Sequence, residues 1–135
     1  MRFLSQLRLP AKINNLRKLV ELVSRSAAEF GLDAERVTEI GVATEEALVN
    51  ICNYAYQDQT GDVQVTCMLD DESRFIIEIE DTGIPFDVHG LNAPDLTDDI
   101  SERQVGGLGV FILKELMNDV QYRREDNRNI LKLVT

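Results

Sequence analysis

Glu46 and Asn50 stand four residues apart in the stretch EEALVNICNYAY, residues 45–56. On a helix that spacing stacks two side chains on one face. A carboxylate there can take a proton from a hydroxyl or a water. An amide oxygen is a hard, neutral ligand suited to Mg²⁺, which takes few protein ligands and keeps its waters or phosphates. Glu45 is adjacent but about 100° round the helix, so it is the weaker candidate for the same work. Alone, the pair also fits a solvated helix face.

Two further stretches carry chemistry. DTGIPFD, residues 81–87, follows an apolar alternating run. A carboxylate at a strand end, here Asp81, can accept a hydrogen bond from an exocyclic amine such as that of adenine. Gly83 lacks a Cβ, so a flat ring can approach its backbone. Alone, the segment also reads as a plain exit turn.

The third stretch is VGGLGVFILKEL, residues 105–116. Glycine inside a helix costs about 1 kcal/mol relative to alanine, yet Gly106, Gly107 and Gly109 crowd a helix entrance around Leu108. A glycine-rich turn into a helix N-terminus offers bare N–H groups and the positive end of the dipole to an anion. Side chains would obstruct phosphate oxygens reaching those groups. The order of glycines matches neither a P-loop nor a dinucleotide-binding fingerprint. Alone, it also fits a hinge or a tight turn.

The elements that must position these groups can be read from periodicity. Ser5–Leu9 suits a short strand ended by Pro10. Apolar residues recur at helical spacing from Ile13 through Leu16, Leu19, Val20, Val23, Ala27 and Phe30, with Gly31 as the stop. Asp33 is placed to cap a second helix that runs to about Tyr56. Its apolar stripe is Val37, Ile40, Thr44, Ala47, Leu48 and Ile51, with Glu46 and Asn50 on the opposite face.

Asp62–Leu69 and Arg74–Glu80 alternate as a hairpin, with Ile76 out of pattern. Residues 89–104 show no period. A connection that long is usually functional or disordered. A helix from about Val110 to Met117 and two strands near Val120–Arg124 and Asn129–Val134 complete the chain. The order β-α-α-β-β-loop-α-β-β predicts an α+β fold, a two-layer sandwich with helices on one face of a mixed, mostly antiparallel sheet.

A length of 135 residues suits one domain with one core. The formal charge of −10 argues against direct nucleic-acid binding and against an anionic membrane surface. No apolar run is long enough to span a bilayer, and no secretory leader is apparent, so a cytoplasmic location is expected. Cys52 and Cys67 have no metal-ligand spacing and read as small buried apolar residues.

Together the three stretches resemble the N, G1 and G2 boxes of the ATPase and kinase superfamily that includes gyrase, heat-shock chaperones, histidine kinases and mismatch-repair ATPases. Within it, the chain is most similar to the small bacterial anti-sigma-factor serine kinases. These carry E-A-x-x-N-x-x-x-H-[AG]-Y, D-x-G-x-P-F-D and G-G-x-G-x-x-[IL]. The corresponding residues are Glu46-Ala47, Asn50 and Tyr54-Ala55-Tyr56; Asp81, Gly83 and Pro85-Phe86-Asp87; and Gly106-Gly107, Gly109 and Ile112. Tyr54 departs from the family histidine.

The resemblance implies a Bergerat-type ATP-binding fold and a set of roles. Asp81 would recognise the adenine N6 amine and Gly83 would admit the base. Asn50 would hold Mg²⁺ against the phosphates of ATP. Gly106, Gly107, Leu108 and Gly109 would receive the phosphate tail beneath a lid at about 89–104. Glu46 would be the general base in phosphoryl transfer to a serine or threonine. Arg103 would be a helper at the end of the lid, whereas His89, the one histidine, reads as a surface residue. The implied partners are a small anti-sigma-factor antagonist as phospho-acceptor, a sigma factor that is sequestered, and a second copy in a homodimer. The alternative is an ATP-gated regulatory binding module without phosphoryl transfer.

Overall fold

In the computed structural model the described residues are 1–56, 60–85 and 111–135. Strand β1 (Arg2–Pro10) leads through a short 3₁₀ turn (Ile13–Asn15) into α1 (Leu16–Phe30) and α2 (Ala34–Asn50), which continues as a π-helical turn (Ile51–Ala55). The hairpin of β2 (Asp62–Leu69) and β3 (Phe75–Asp81) comes next. Helix α3 is described over 111–116 and precedes β4 (Asp119–Glu125) and β5 (Arg128–Val134).

Local chemistry sets the boundaries. Gly31 ends α1 at φ +112°, a backbone conformation open to glycine. The Asp33 carboxylate accepts from Arg36 N–H at 2.8 Å and starts α2, a cap worth about 1 kcal/mol. Asp126 and Asn127 both adopt positive φ between β4 and β5. That is the mirror-image turn that matches the twist of a two-residue hairpin.

The sheet order is β1-β2-β3-β5-β4. The α+β sandwich is as expected from sequence. Where a mixed sheet was expected, all four described ladders are antiparallel. The first strand is also longer than Ser5–Leu9 and takes in Pro10, which an edge strand tolerates.

Register lines the side chains into rows on the helix-facing side. Leu7, Val65, Ile79, Leu131 and Tyr122 form one row, and Ser5, Cys67, Ile77, Leu133 and Val120 another. Onto these apolar rows pack Leu19, Val23 and Ala27 of α1, Ile40, Ala43, Ala47 and Leu48 of α2, and Leu113 of α3. Each buried leucine, isoleucine or valine among them contributes roughly 1.5–3 kcal/mol. Ile76 fits once both faces are considered. It lies on the far side beside Val134, fully buried, where the pairing of Arg123 with Glu78 crosses β5.

The next row breaks the apolar sequence. It reads Leu9, Val63, Asp81, Asn129 and Arg124. The core therefore gives way to polar side chains at the end of the sheet where α2 runs out. Among the described residues no helix is long and apolar enough to cross a membrane. Both cysteines are free thiols, Cys67 buried and Cys52 half-buried, and burial pushes each thiol above its usual pKa.

Candidate functional site

A cleft opens between the end of α2 and the polar end of the sheet. Ala47, Asn50, Ile51, Tyr54 and Ala55 form its helical wall, and Ile79, Asp81, Ile84, Asn129 and Leu131 lie opposite. Most of this lining is apolar, with a few polar groups among it.

Asp81 is the dominant polar feature. It is 5 % exposed. Its Oδ1 accepts from Gly83 N–H at 2.8 Å and from Asn129 Nδ2 at 2.9 Å. Its Oδ2 accepts no hydrogen bond from the described residues. Burial pushes the carboxyl above the usual carboxylate range. The bonds from Asn129 and Gly83 and the Arg124 charge pull the other way without cancelling it. An acceptor without a partner in an apolar cleft calls for a donor from a ligand, since an unmet buried polar group is costly.

The turn after Asp81 is held by main-chain contacts. Ile84 N–H donates to the Ala55 carbonyl at 2.9 Å and caps the end of the π-helical turn. A Cβ on Gly83 would lie 2.2 Å from that same carbonyl oxygen. The direction a Gly83 side chain would take is therefore filled by Ala55, a tighter requirement than admitting a flat ring. Tyr56 closes the other side. Its hydroxyl donates to the Asp62 carbonyl at 2.6 Å and accepts from Thr82 N–H at 2.7 Å.

Asn50 and Glu46 occupy successive turns of α2. Asn50 lines the cleft beside Ala47 and Ile51, on the flank of the apolar stripe rather than opposite it. Its side-chain amide makes no hydrogen bond to another described residue. Glu46 is half-buried and does not line the cleft. Tyr54, 39 % exposed, does line it, carried there by the π-helical turn. Such turns recur at functional sites because they rotate the side chains beyond them.

Gly106, Gly107, Leu108 and Gly109, the segment 89–104 with His89 and Arg103, and Phe86 and Asp87 lie outside the described residues. Helix α3 is held at its last described turn and by packing from its middle. Arg36 of α2 donates to the Leu116 carbonyl at 2.5 Å, and Leu113 of α3 reaches the cleft.

The histidine kinase-like ATPase domain family matches residues 9–135, nearly the whole chain. This chain belongs to that family. Relatives within reach of sequence are similar along most of their length. The serine-protein kinase RsbW of Bacillus cereus (strain AH820) is 24 % identical over 130 residues, covering 93 % of this chain and 81 % of the relative. RsbW of Bacillus thuringiensis (strain Al Hakam) is equally similar over the same span. Among solved structures, one from the SiaB-SiaC complex of Pseudomonas aeruginosa superposes with a TM-score of 0.73 at 13 % identity. It covers 99 % of this chain and 90 % of that one. The histidine kinase domain of the Erythrobacter litoralis EL346 blue-light activated histidine kinase gives 0.56 at 20 % identity, covering 86 % and 59 %. These two likenesses concern the fold.

Three residues around Asp81 escaped the sequence reading. Asn129 is 5 % exposed and bonded to Asp81, while Tyr122 and Arg124 donate to its Oδ1 at 2.6 and 2.9 Å. A signal for Asn129 was present. It stands in phase with inward-facing Leu131 and Leu133, and a polar residue in that phase is unusual. Nothing local in the sequence marks Arg124.

The residues present fit a purine nucleotide. The cleft lining is mostly apolar, the Asp81 Oδ2 left open by the described residues matches an exocyclic amine, and the Asn50 amide lines the same cleft. Among the described residues no cluster of three His, Cys, Asp or Glu could hold a metal alone. A magnesium ion here would take Asn50 together with phosphate oxygens and water.

Proposed function

We propose that this chain is a Mg-ATP-dependent protein serine/threonine kinase that acts as an anti-sigma factor. It phosphorylates a small anti-sigma-factor antagonist and sequesters a sigma factor. The observation that carries the reading is Asp81: a buried carboxylate with one open oxygen at the floor of an apolar cleft. Family membership and the serine-kinase relatives support it. The likeness to a protein solved in the SiaB-SiaC complex supports the fold.

In this reading Asp81 accepts the adenine N6 amine, and Ile79, Ile84 and Leu131 exclude water from the base. Asn50 holds Mg²⁺, which supplies charge neutralisation at the phosphates when bound. Gly106, Gly107, Leu108 and Gly109 receive the phosphate tail. Glu46 takes the proton of the acceptor hydroxyl as its oxygen bonds to the γ-phosphorus and the bridging P–O bond to ADP breaks. The protein chiefly positions and compensates charge, as phosphoryl transfer requires. The working unit is a cytoplasmic homodimer.

A second reading has a specific observation behind it. Tyr54, not Glu46, lines the cleft. An ATP-gated binding module would use the same base site to change partner affinity, with no transfer. One experiment separates the two: the chain, Mg-ATP and a small anti-sigma-factor antagonist, analysed for phosphoserine and phosphothreonine. Phosphorylation that a Glu46→Gln variant fails to produce supports the kinase. Nucleotide-dependent partner binding with no phosphorylation replaces it with the module.

A further inference from the structure

Asn129 has every hydrogen-bonding position filled by protein. Nδ2 donates to Asp81 Oδ1 at 2.9 Å and to the Ile84 carbonyl at 2.7 Å. Oδ1 accepts from Tyr122 Oη at 2.6 Å and from Arg124 Nη1 at 2.9 Å. Three of these partners dictate which way the amide faces. A guanidinium only donates, so Oδ1 must face Arg124. A carboxylate and a carbonyl only accept, so Nδ2 must face Asp81 and Ile84. The flipped amide would set oxygen against both. Arg124 Nη1 also donates to the Gly83 carbonyl at 3.0 Å, so the same cation holds the turn beyond Asp81.

A saturated amide has nothing left to offer a ligand, although Asn129 borders the cleft. Its influence on the cleft passes through Asp81. With Oδ1 of Asp81 held by Asn129 and by Gly83 N–H, only Oδ2 remains to receive a ligand. We propose that Asn129, oriented by Tyr122 and Arg124, is a positioning residue that makes Asp81 a one-oxygen, acceptor-only reader, and so sets selection of 6-amino purines over 6-oxo purines. This rests on the nucleotide reading above. A 6-amino group donates to Oδ2; a 6-oxo group brings oxygen against oxygen.

The test compares affinities of the full chain for Mg-ATP and Mg-ITP by calorimetry between pH 5 and 8, in wild type, Asp81→Asn, Asn129→Leu and Asn129→Asp. Melting curves verify that each variant is folded. Wild type prefers ATP, and Asp81→Asn loses that preference. Asn129→Leu weakens ATP by roughly 10-fold, the worth of one charge-assisted hydrogen bond, and leaves ITP within about 2-fold. A general packing defect would weaken both nucleotides alike.

Asn129→Asp is nearly the same size and keeps the proposal testable if the leucine variant unfolds. It puts a second carboxylate against Asp81, and like charges hold a proton to higher pH. Among the described residues, the other charged or titratable groups around Asp81 are Arg124 and Tyr122 on β4, Tyr54 on the π-helical turn, Tyr56 beside Thr82, and Glu80 next to Asp81 in β3. Glu80 is paired with Arg128 on the opposite face. None of these changes in the variant. The midpoint of the ATP-affinity pH profile should therefore move up by about one unit or more.

An Asn129→Leu variant that keeps the wild-type preference, or an Asn129→Asp variant with an unmoved midpoint, overturns this proposal and leaves the nucleotide reading standing. A wild type that binds both nucleotides equally likewise overturns this proposal alone, whereas one that binds neither overturns the nucleotide reading and this proposal with it.

Discussion

Gly83 and Ala55 touch backbone to backbone: the place where a Gly83 Cβ would sit is 2.2 Å from the Ala55 carbonyl oxygen. That contact locks the turn beneath the cleft onto the end of α2. It ties the residue that would read the base to the helix that carries Asn50 and Glu46. A Gly83→Ala variant must push the two apart. The expected cost is roughly 1–3 kcal/mol of stability, as for other overpacked sites, with weaker nucleotide binding alongside. Urea unfolding checks it. A variant as stable as wild type with unchanged affinity would show that the contact is slack.

Asp81 sets a pH dependence whose sign is fixed by its burial. Its folded-state pKa is raised, first by desolvation. Across the interval between the unfolded and folded pKa values the folded chain binds more protons than the unfolded one. Asp81's contribution to stability is therefore fully present below the unfolded value and falls as pH rises through the folded one. Asp81→Asn removes that penalty. The variant should gain on wild type as pH climbs from about 4 toward 7, while losing ATP binding. Denaturant midpoints at several pH values provide the check. A variant that loses ground with rising pH would mean that the carboxylate is stabilised in its ionised form.

Glu46 and Asn50 should separate chemistry from binding. Glu46→Gln is expected to cut phosphoryl transfer by roughly 10²–10⁴-fold, the usual range for a lost general base, with ATP affinity nearly unchanged. Asn50→Ala should weaken ATP only when magnesium is present. Single-turnover transfer and calorimetry with and without EDTA distinguish these outcomes. Equal losses of binding in both variants would place Glu46 in the ligand's ground-state contacts.

Arg36 fastens α3 by its hydrogen bond to the Leu116 carbonyl. It is a cation at a helix C-terminus, where the last carbonyls lack partners. Arg36→Met keeps the apolar stem and removes the donor. About 1.5 kcal/mol should be lost, and exchange of the Leu113 and Met117 amide protons should speed up. Unchanged exchange would show that packing of Leu113 alone holds the helix.

Much of this fold was legible because periodicity and punctuation agreed. Gly31, Asp33 and the alternation of Val63, Val65 and Cys67 each marked an element that formed. The strand-end carboxylate of Asp81 and the glycine after it were also visible, though the reason for Gly83 was not: Ala55 lies 28 residues earlier in the chain. Asn129 was placed at the start of the last strand, but its bond to Asp81 joins residues 48 apart in the chain. The hydrogen bonds that give Arg124 and Arg36 their roles join segments 41 and 80 residues apart. Local pattern carries no trace of such pairs. The widening of α2 into a π-helical turn was equally silent, and it is what brings Tyr54 to the cleft wall.

The central claim is that the Asp81 cleft takes ATP. Titrating Mg-ATP into the purified full chain by calorimetry tests it most directly. The expected result is saturable heat at one site per chain, lost in Asp81→Asn while that variant still melts cooperatively. No heat with wild type, or an Asp81→Asn variant that binds ATP as tightly as wild type, would contradict it.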